Sequence, residues 1–269
     1  DDPRVRYYMY RQVLTNTTNV DEQECISQIA PPHYLVGNYP YCNPAGNKGY
    51  WGRDHLDPDG IPPDGLKRTA YGVFPAGGRF DNNSGLPVAN PALGNKGAGI
   101  HPIMLAAYVD FMLAEATLTL GTTGTAKTYL QSGIKKHMDY VRAFAVAGAE
   151  GATITAFEPA ATFTGRVTNY NNYVGAQFDA ASTNDSKLDV VAREYWLSLY
   201  GNGMEAYNLY RRTGKPSRMQ PGLEAVTGAF VRSFLYPNNY MVTNTKAKQK
   251  QNLATQVFWD KNPASPWIY

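Results

Sequence analysis

The chain has 269 residues, enough for one large domain or two ordinary ones. Hydrophobic residues make up 43% and charged residues 17%, which excludes a disordered chain, while 20 Tyr, 25 Gly and 18 Pro point to extensive ordered loop held by aromatic packing. A net charge of +3 is too small to imply nucleic acid as a partner, and the one basic run, Lys246 to Lys250, reads as a solvated surface.

The chain opens on DDPRVRYYMYRQ, which has no basic start, apolar run or small-residue cleavage site, so a secretion signal is not expected here. Residues 1–14 alternate loosely, with Val5, Tyr7 and Met9 to one side, and read as a short strand or extended segment. Residues 15–100 are crowded with Gly, Pro, Asn and Asp and show no helical period. A structureless stretch of that length is uncommon in a compact domain, so it must be pinned by packing on helices, by a disulfide, by an ion, or by all three.

Two features of that stretch bear on how it is pinned. Cys25 and Cys42 are the only cysteines, and a bridge between them would stabilise the loop by about 3 kcal/mol in an oxidising compartment. They lack the spacing of a zinc site, and the charged residues before Cys25 are wrong for lipid attachment. Further on, Asp54, His55, Asp57, Asp59 and Asp64 crowd a turn-forming segment from Gly49 to Gly65. Asp54, Asp57 and Asp59 are candidate Ca²⁺ ligands, but the match to an EF-hand loop is poor, and capping of turns by these aspartates is the simpler reading. No cofactor other than that possible Ca²⁺ is expected. The residues from Gly72 to Pro87 read as a turn-rich loop or small hairpin.

Helices follow. Pro102 to Leu120 is apolar nearly all round, yet Asp110 and Glu115 would each cost a few kcal/mol in a bilayer, so it reads as a buried helix in the middle of a helical layer. A second helix over Ala126 to Ala147 carries Leu130, Ile134, Val141 and Phe144 at helical spacing, which makes 101–148 a helical hairpin. His137 lies on that helix as a packed or surface side chain and not as a ligand. Residues 149–185 form a polar and aromatic insert, and 186–214 a second hairpin. In this hairpin Leu188, Val191, Ala192, Tyr195 and Leu199 line one face, Gly201-Asn202-Gly203 turns the chain, and Met204, Tyr207 and Tyr210 belong to the helix that Gly214 and Pro216 stop. Residues 215–269 read as an irregular C-terminal segment. The fold class is mainly α, with two helical hairpins of tetratricopeptide size and long ordered loops.

The run AREYWLSLYGNGMEAYNLYRRTGKPS, then VRSFLYPNNYMVTN and QVFWDKNP, resembles the C-terminal half of the SusD/RagB-like outer-membrane nutrient-binding lipoproteins. Glu205-Ala206, Arg211 to Gly214, Arg232, Tyr236-Pro237, Asn244 and Trp259-Asp260 match in order, as does the opening Asp2-Pro3-Arg4, while Tyr240 stands where many members have Glu. The whole chain is then the C-terminal part of one such domain. The resemblance implies a non-catalytic protein, lipid-anchored on the extracellular face of the outer membrane through an N-terminal part not included here. It implies glycan capture and delivery to a SusC-like TonB-dependent β-barrel transporter. Arg211, Arg212, Arg232 and Trp259 are assigned to a structural motif, with the arginines bonding carboxylates or carbonyls. Sugar rings stack on aromatic faces, so Tyr39, Tyr41, Tyr50, Trp51, Tyr170 and Tyr173 are candidate ligand residues. A peptide-capturing member of the family is the alternative, and a hydrolase using Asp54, His55 and Asp57 is the second.

Overall fold

The computed structural model describes residues 2–14, 34–35, 50, 69–86, 93–220, 231–258 and 260. The expected Cys25–Cys42 bridge, the Asp54, Asp57 and Asp59 cluster with His55, and Tyr39, Tyr41, Trp51 and Trp259 lie outside them.

The chain is mainly helical. It begins with a single turn, α1 (Val5–Tyr8), that leads into β1 (Met9–Tyr10), paired antiparallel with β2 (Ala70–Tyr71) in the register Met9 to Tyr71 and Tyr10 to Ala70. The expected alternation of sides along this segment therefore fails: helical geometry at α1 buries both Tyr7 and Tyr8. The loop after β2 is fixed to this turn through backbone bonds from Gly72 to Tyr8 and from Phe74 to Tyr7, each 2.9 Å. A side chain at position 72 would collide with the Tyr7 carbonyl at 2.1 Å, so only glycine admits the approach. Val73, Phe74 and Phe80 of the loop then enter the core. For residues 69–86, packing on the rest of the fold supplies the restraint that the long loop demanded.

The helical body consists of α2 (Ala106–Thr119), α3 (Ala126–Ala147), α4 (Gly151–Phe157), α5 (Ala160–Ala180), α6 (Asn184–Ser198) and α7 (Gly203–Thr213). Helices α2 and α3 form the first hairpin, with α3 burying Leu130, Ile134, His137, Met138, Val141 and Ala145 along one stripe. Gly133 admits the ring of Phe111 against the backbone of α3, where a Cβ would stand 3.1 Å from it. Helix α6 packs on α2, α3 and α5, and its apolar face is buried as its spacing predicts. It begins at a capping box in which the Thr183 hydroxyl accepts from the Ser186 amide and the Ser186 hydroxyl accepts from the Thr183 amide. Helix α7 ends on Gly214 in the left-handed conformation, φ +67°.

Two expectations about the first hairpin need correction. The first hairpin's leading helix starts at Ala106 and not at Pro102. It is also not covered on every side: Val109 and Leu113 are 45% and 38% exposed, because the neighbours α3 and α6 take only the arc that carries Ala107, Phe111 and Ala114. In the second hairpin, Met204 lies exposed while Leu209 and Tyr210 are buried. The polar and aromatic segment between the hairpins, 149–185, is itself mostly helical, occupied by α4 and α5.

Beyond α7, residues 231–258 carry one short helix, α8 (Asn238–Thr243). Arg232 and Ser233 both donate backbone N–H groups to the Leu253 carbonyl, at 2.8 and 3.1 Å, which folds this segment back on itself. Among the described residues no helix is long and apolar enough to cross a membrane.

Candidate functional site

Helix α5 positions the site. Phe163, Val167, Val174 and Phe178 bury its inner face against α3 and α6. Flanking that face, Arg166, Asn169, Tyr170 and Tyr173 follow at i, i+3, i+4 and i+7, so they form one stripe along the helix. Together with Asp2, these residues line an open cleft of about 570 Å³.

The floor of the cleft is tied to a buried ionic network. Arg4 is fully buried and its guanidinium grips the Asp2 carboxylate through Nε, at 2.9 and 3.0 Å, and Nη2, at 2.7 Å. The same guanidinium donates to the Ser198 hydroxyl at 3.1 Å, to the Tyr170 hydroxyl at 3.2 Å and to Glu194 of α6 at 3.0 Å. The Tyr170 hydroxyl in turn donates to the Glu194 carboxylate at 3.0 Å. Burying a charge this deeply is tolerable only when every polar atom is satisfied, and here Arg4 joins α1, α5 and α6 in doing so. Burial pushes the Asp2 carboxyl up, but the adjacent Arg4 charge and its hydrogen bonds outweigh that and hold its pKa below the ordinary value. Asp2 thus offers a fixed anionic acceptor. Burial, then the Glu194 charge, pushes the Tyr170 hydroxyl well above its ordinary value, so it stays protonated.

The rim is more available. Tyr173 is 59% exposed, with its ring 6.4 Å from that of Tyr170 at 47°. Asn169 is exposed and brings an amide that both donates and accepts. Arg166 donates from Nη1 to the buried Glu158, which also accepts from Tyr7 at 2.8 Å, and Arg142 donates to the Glu158 carbonyl at 2.7 Å. The cleft therefore holds an aromatic face, an amide, a carboxylate and a partly committed guanidinium within one helical stripe and its neighbour.

The structure distributes the sequence candidates unevenly. Tyr170 and Tyr173 meet in the cleft. Tyr50 does not, because its hydroxyl donates to Asp81 at 2.6 Å and its ring lies under the Arg11 guanidinium at 4.7 Å. Arg212 bonds Glu115 of α2 through two parallel contacts of 2.7 and 2.8 Å. Arg211 donates to the Arg232 carbonyl at 2.9 Å, and Arg232 grips Asp260 at 2.8 and 2.9 Å. Among the described residues no cluster of three His, Cys, Asp or Glu side chains is arranged to hold a metal. Sequence reading missed Asp2, Arg166 and Asn169. The available signal was the period of Phe163, Val167, Tyr170, Val174 and Phe178, which makes 160–180 a helix and sets Arg166, Asn169 and Tyr173 on one flank.

The family model for SusD-like proteins, the Susd and RagB outer membrane lipoproteins, matches residues 90–260. No curated protein matches the chain. A solved structure described as "Bacteroidetes AC2a SusD-like" aligns at 20% identity over 53% of this chain and 26% of that one, with a TM-score of 0.40. The chain thus spans about a quarter of that protein's length.

Proposed function

Since the chain belongs to the SusD-like family of outer membrane lipoproteins, we propose that it takes part in capturing an oligosaccharide at the cell surface and delivering it to a TonB-dependent β-barrel transporter. The observation that supports glycan as the ligand is the Tyr173 ring, exposed at the rim of a cleft whose other groups are the Asn169 amide, the Asp2 carboxylate and Arg166. A pyranose presents a C–H face to an aromatic ring and hydroxyls to such polar groups. The charges behind the cleft are already paired, Arg4 with Asp2 and Glu194 and Arg166 with Glu158, which favours a neutral sugar over an acidic one.

Peptide capture fits this cleft less well. Recognition of an extended peptide by strand addition needs a free strand edge, whereas α5 commits its backbone groups to its own hydrogen bonds. Hydrolysis fits less well too. A glycosidase uses two carboxylates across the scissile bond, and the described lining of the cleft offers only Asp2, held ionised by Arg4.

Calorimetric titration of the chain with neutral hexasaccharides of different linkage tests the reading. Tyr173→Ala is expected to weaken the best of them about tenfold, the loss of one aromatic stacking contact. Undiminished affinity in that variant would remove the cleft as the capture site, and binding of peptides with no glycan binding would replace glycan by peptide.

A further inference from the structure

The basic run near the C-terminus, read from sequence as a solvated surface, acquires a different meaning once its neighbours are known. From Ala225 to Trp259 the chain contains no Asp or Glu. Lys246, Lys248 and Lys250 lie in this stretch, and none of them bridges a described carboxylate. Lys250 folds back instead, its ammonium 5.0 Å above the ring of Tyr236 and 3.2 Å from the Phe234 carbonyl. The Gln249 side chain accepts from the Tyr236 amide and donates to the Tyr236 carbonyl, both at 2.9 Å, which fixes Gln249 and the adjacent Lys250 beside that residue. Tyr240 completes the surface. Its ring stands 5.7 Å from that of Tyr236 at 53°, and the two are 48% and 44% exposed.

We propose that Tyr236, Tyr240, Lys246, Lys248 and Lys250 form a binding surface for an acidic polysaccharide, one whose rings carry sulfate or carboxylate groups. The aromatic pair supplies stacking faces for the sugar rings, and the three ammonium groups, none paired with a described carboxylate, supply counter-charges to the polyanion. The composition argues against two other occupants. Lysine is depleted at the centres of protein interfaces, where arginine and aromatics dominate. A lipid surface is usually met by a long amphipathic helix, whereas α8 has 6 residues. This surface is distinct from the α5 cleft, where the cations are paired, and the proposal does not depend on the reading of that cleft.

The test is titration of the full chain with heparin and with polygalacturonate, separating sulfate from carboxylate, and with dextran as the neutral control. Wild type should bind at least one polyanion, more weakly as salt rises. The triple variant K246Q/K248Q/K250Q should bind it at least tenfold more weakly, and Tyr240→Ser should weaken it at unchanged charge. Failure of wild type to bind either polyanion overturns the proposal, as does full binding by the triple variant. Wild-type affinity in Tyr240→Ser would also overturn it, leaving ion exchange without a built surface. Binding only to anionic phosphatidylglycerol vesicles would assign the surface to lipid and likewise defeat it.

Discussion

His137 is the least comfortable residue of the core. It is wholly buried on α3, and neither ring nitrogen makes a hydrogen bond of good geometry. Around it stand the rings of Tyr8, Phe74 and Tyr108, with the charges of Arg4 and Asp2 behind them. Burial first, and the Arg4 charge second, lower its pKa to about 3, with Asp2 and the Ser198 carbonyl opposing. The folded state therefore keeps the ring neutral while the unfolded chain takes up a proton below about pH 6.5. Stability is complete above that value and falls as pH drops toward 3, by about 1.4 kcal/mol per pH unit within the window. The lowered carboxyls, Asp2 and Asp81, lose their contribution only below their ordinary value near 3.8, so the stretch from pH 6.5 to 5 isolates His137 among the shifted groups. Urea midpoints of wild type and His137→Leu across that range should diverge, with the variant nearly flat. Parallel curves would show that the ring is hydrated or proton-accessible in the native protein.

At the scale of elements, Asn202 joins two parts of the fold that are distant in sequence. Its side-chain oxygen caps α7 by accepting from the Glu205 amide at 3.1 Å, while its amide nitrogen donates to the Pro102 and Ile103 carbonyls at 2.9 and 3.0 Å. Asn202→Ala removes the cap, worth about 1 kcal/mol, and orphans a carbonyl in a buried setting, worth about 1–3 kcal/mol more. Asn202→Ser should recover the cap alone, so denaturant titration should rank wild type, Ser and Ala in that order. Equal loss in both variants would mean that the cap carries none of the stability.

The hairpin around Asn202 was legible in the sequence because its signals agree: an apolar period on α6, glycines at the turn, Gly214 at the end. Helix α5 was hidden because Thr162, Thr164, Gly165, Thr168, Asn169, Asn171, Asn172 and Gly175 are poor helix formers, and tertiary packing overrides them. Asn171 shows how: its amide donates to the Gln131 carbonyl of α3 at 2.9 Å, a use that intrinsic propensity does not record. The cleft followed α5 into obscurity. Tyr170 and Tyr173 were found as aromatics, but Asp2 reaches the site only because Arg4 carries it across 166 residues of sequence to Tyr170.

For the whole molecule, stability is divided unequally. One core cluster joins Tyr7 and Tyr8 of α1, Val73, Phe74 and Phe80 of the loop, and the inner faces of α2 to α7. Among the described residues no apolar side chain beyond Leu209 enters it. Residues 231–258 are held by polar contacts: the Arg232–Asp260 pair, the Ser233 bonds to Leu253 and Thr255, the Gln249 bonds to Tyr236, and the links from Arg211 and Tyr207 to the carbonyls of Arg232 and Val231. Net contributions of such bonds are about 1 kcal/mol each, and solvent competes for most of them here. A segment with few buried apolar groups opens without unfolding the rest. Native-state hydrogen exchange should therefore find amides of 234–256 exchanging at least a hundredfold faster than those of α3 and α6. Polyanion, if it binds the lysine surface, should slow that exchange while leaving the helices unchanged. Protection equal to that of α3 in the free chain would contradict this division and place 231–258 within the same cooperative unit as the core.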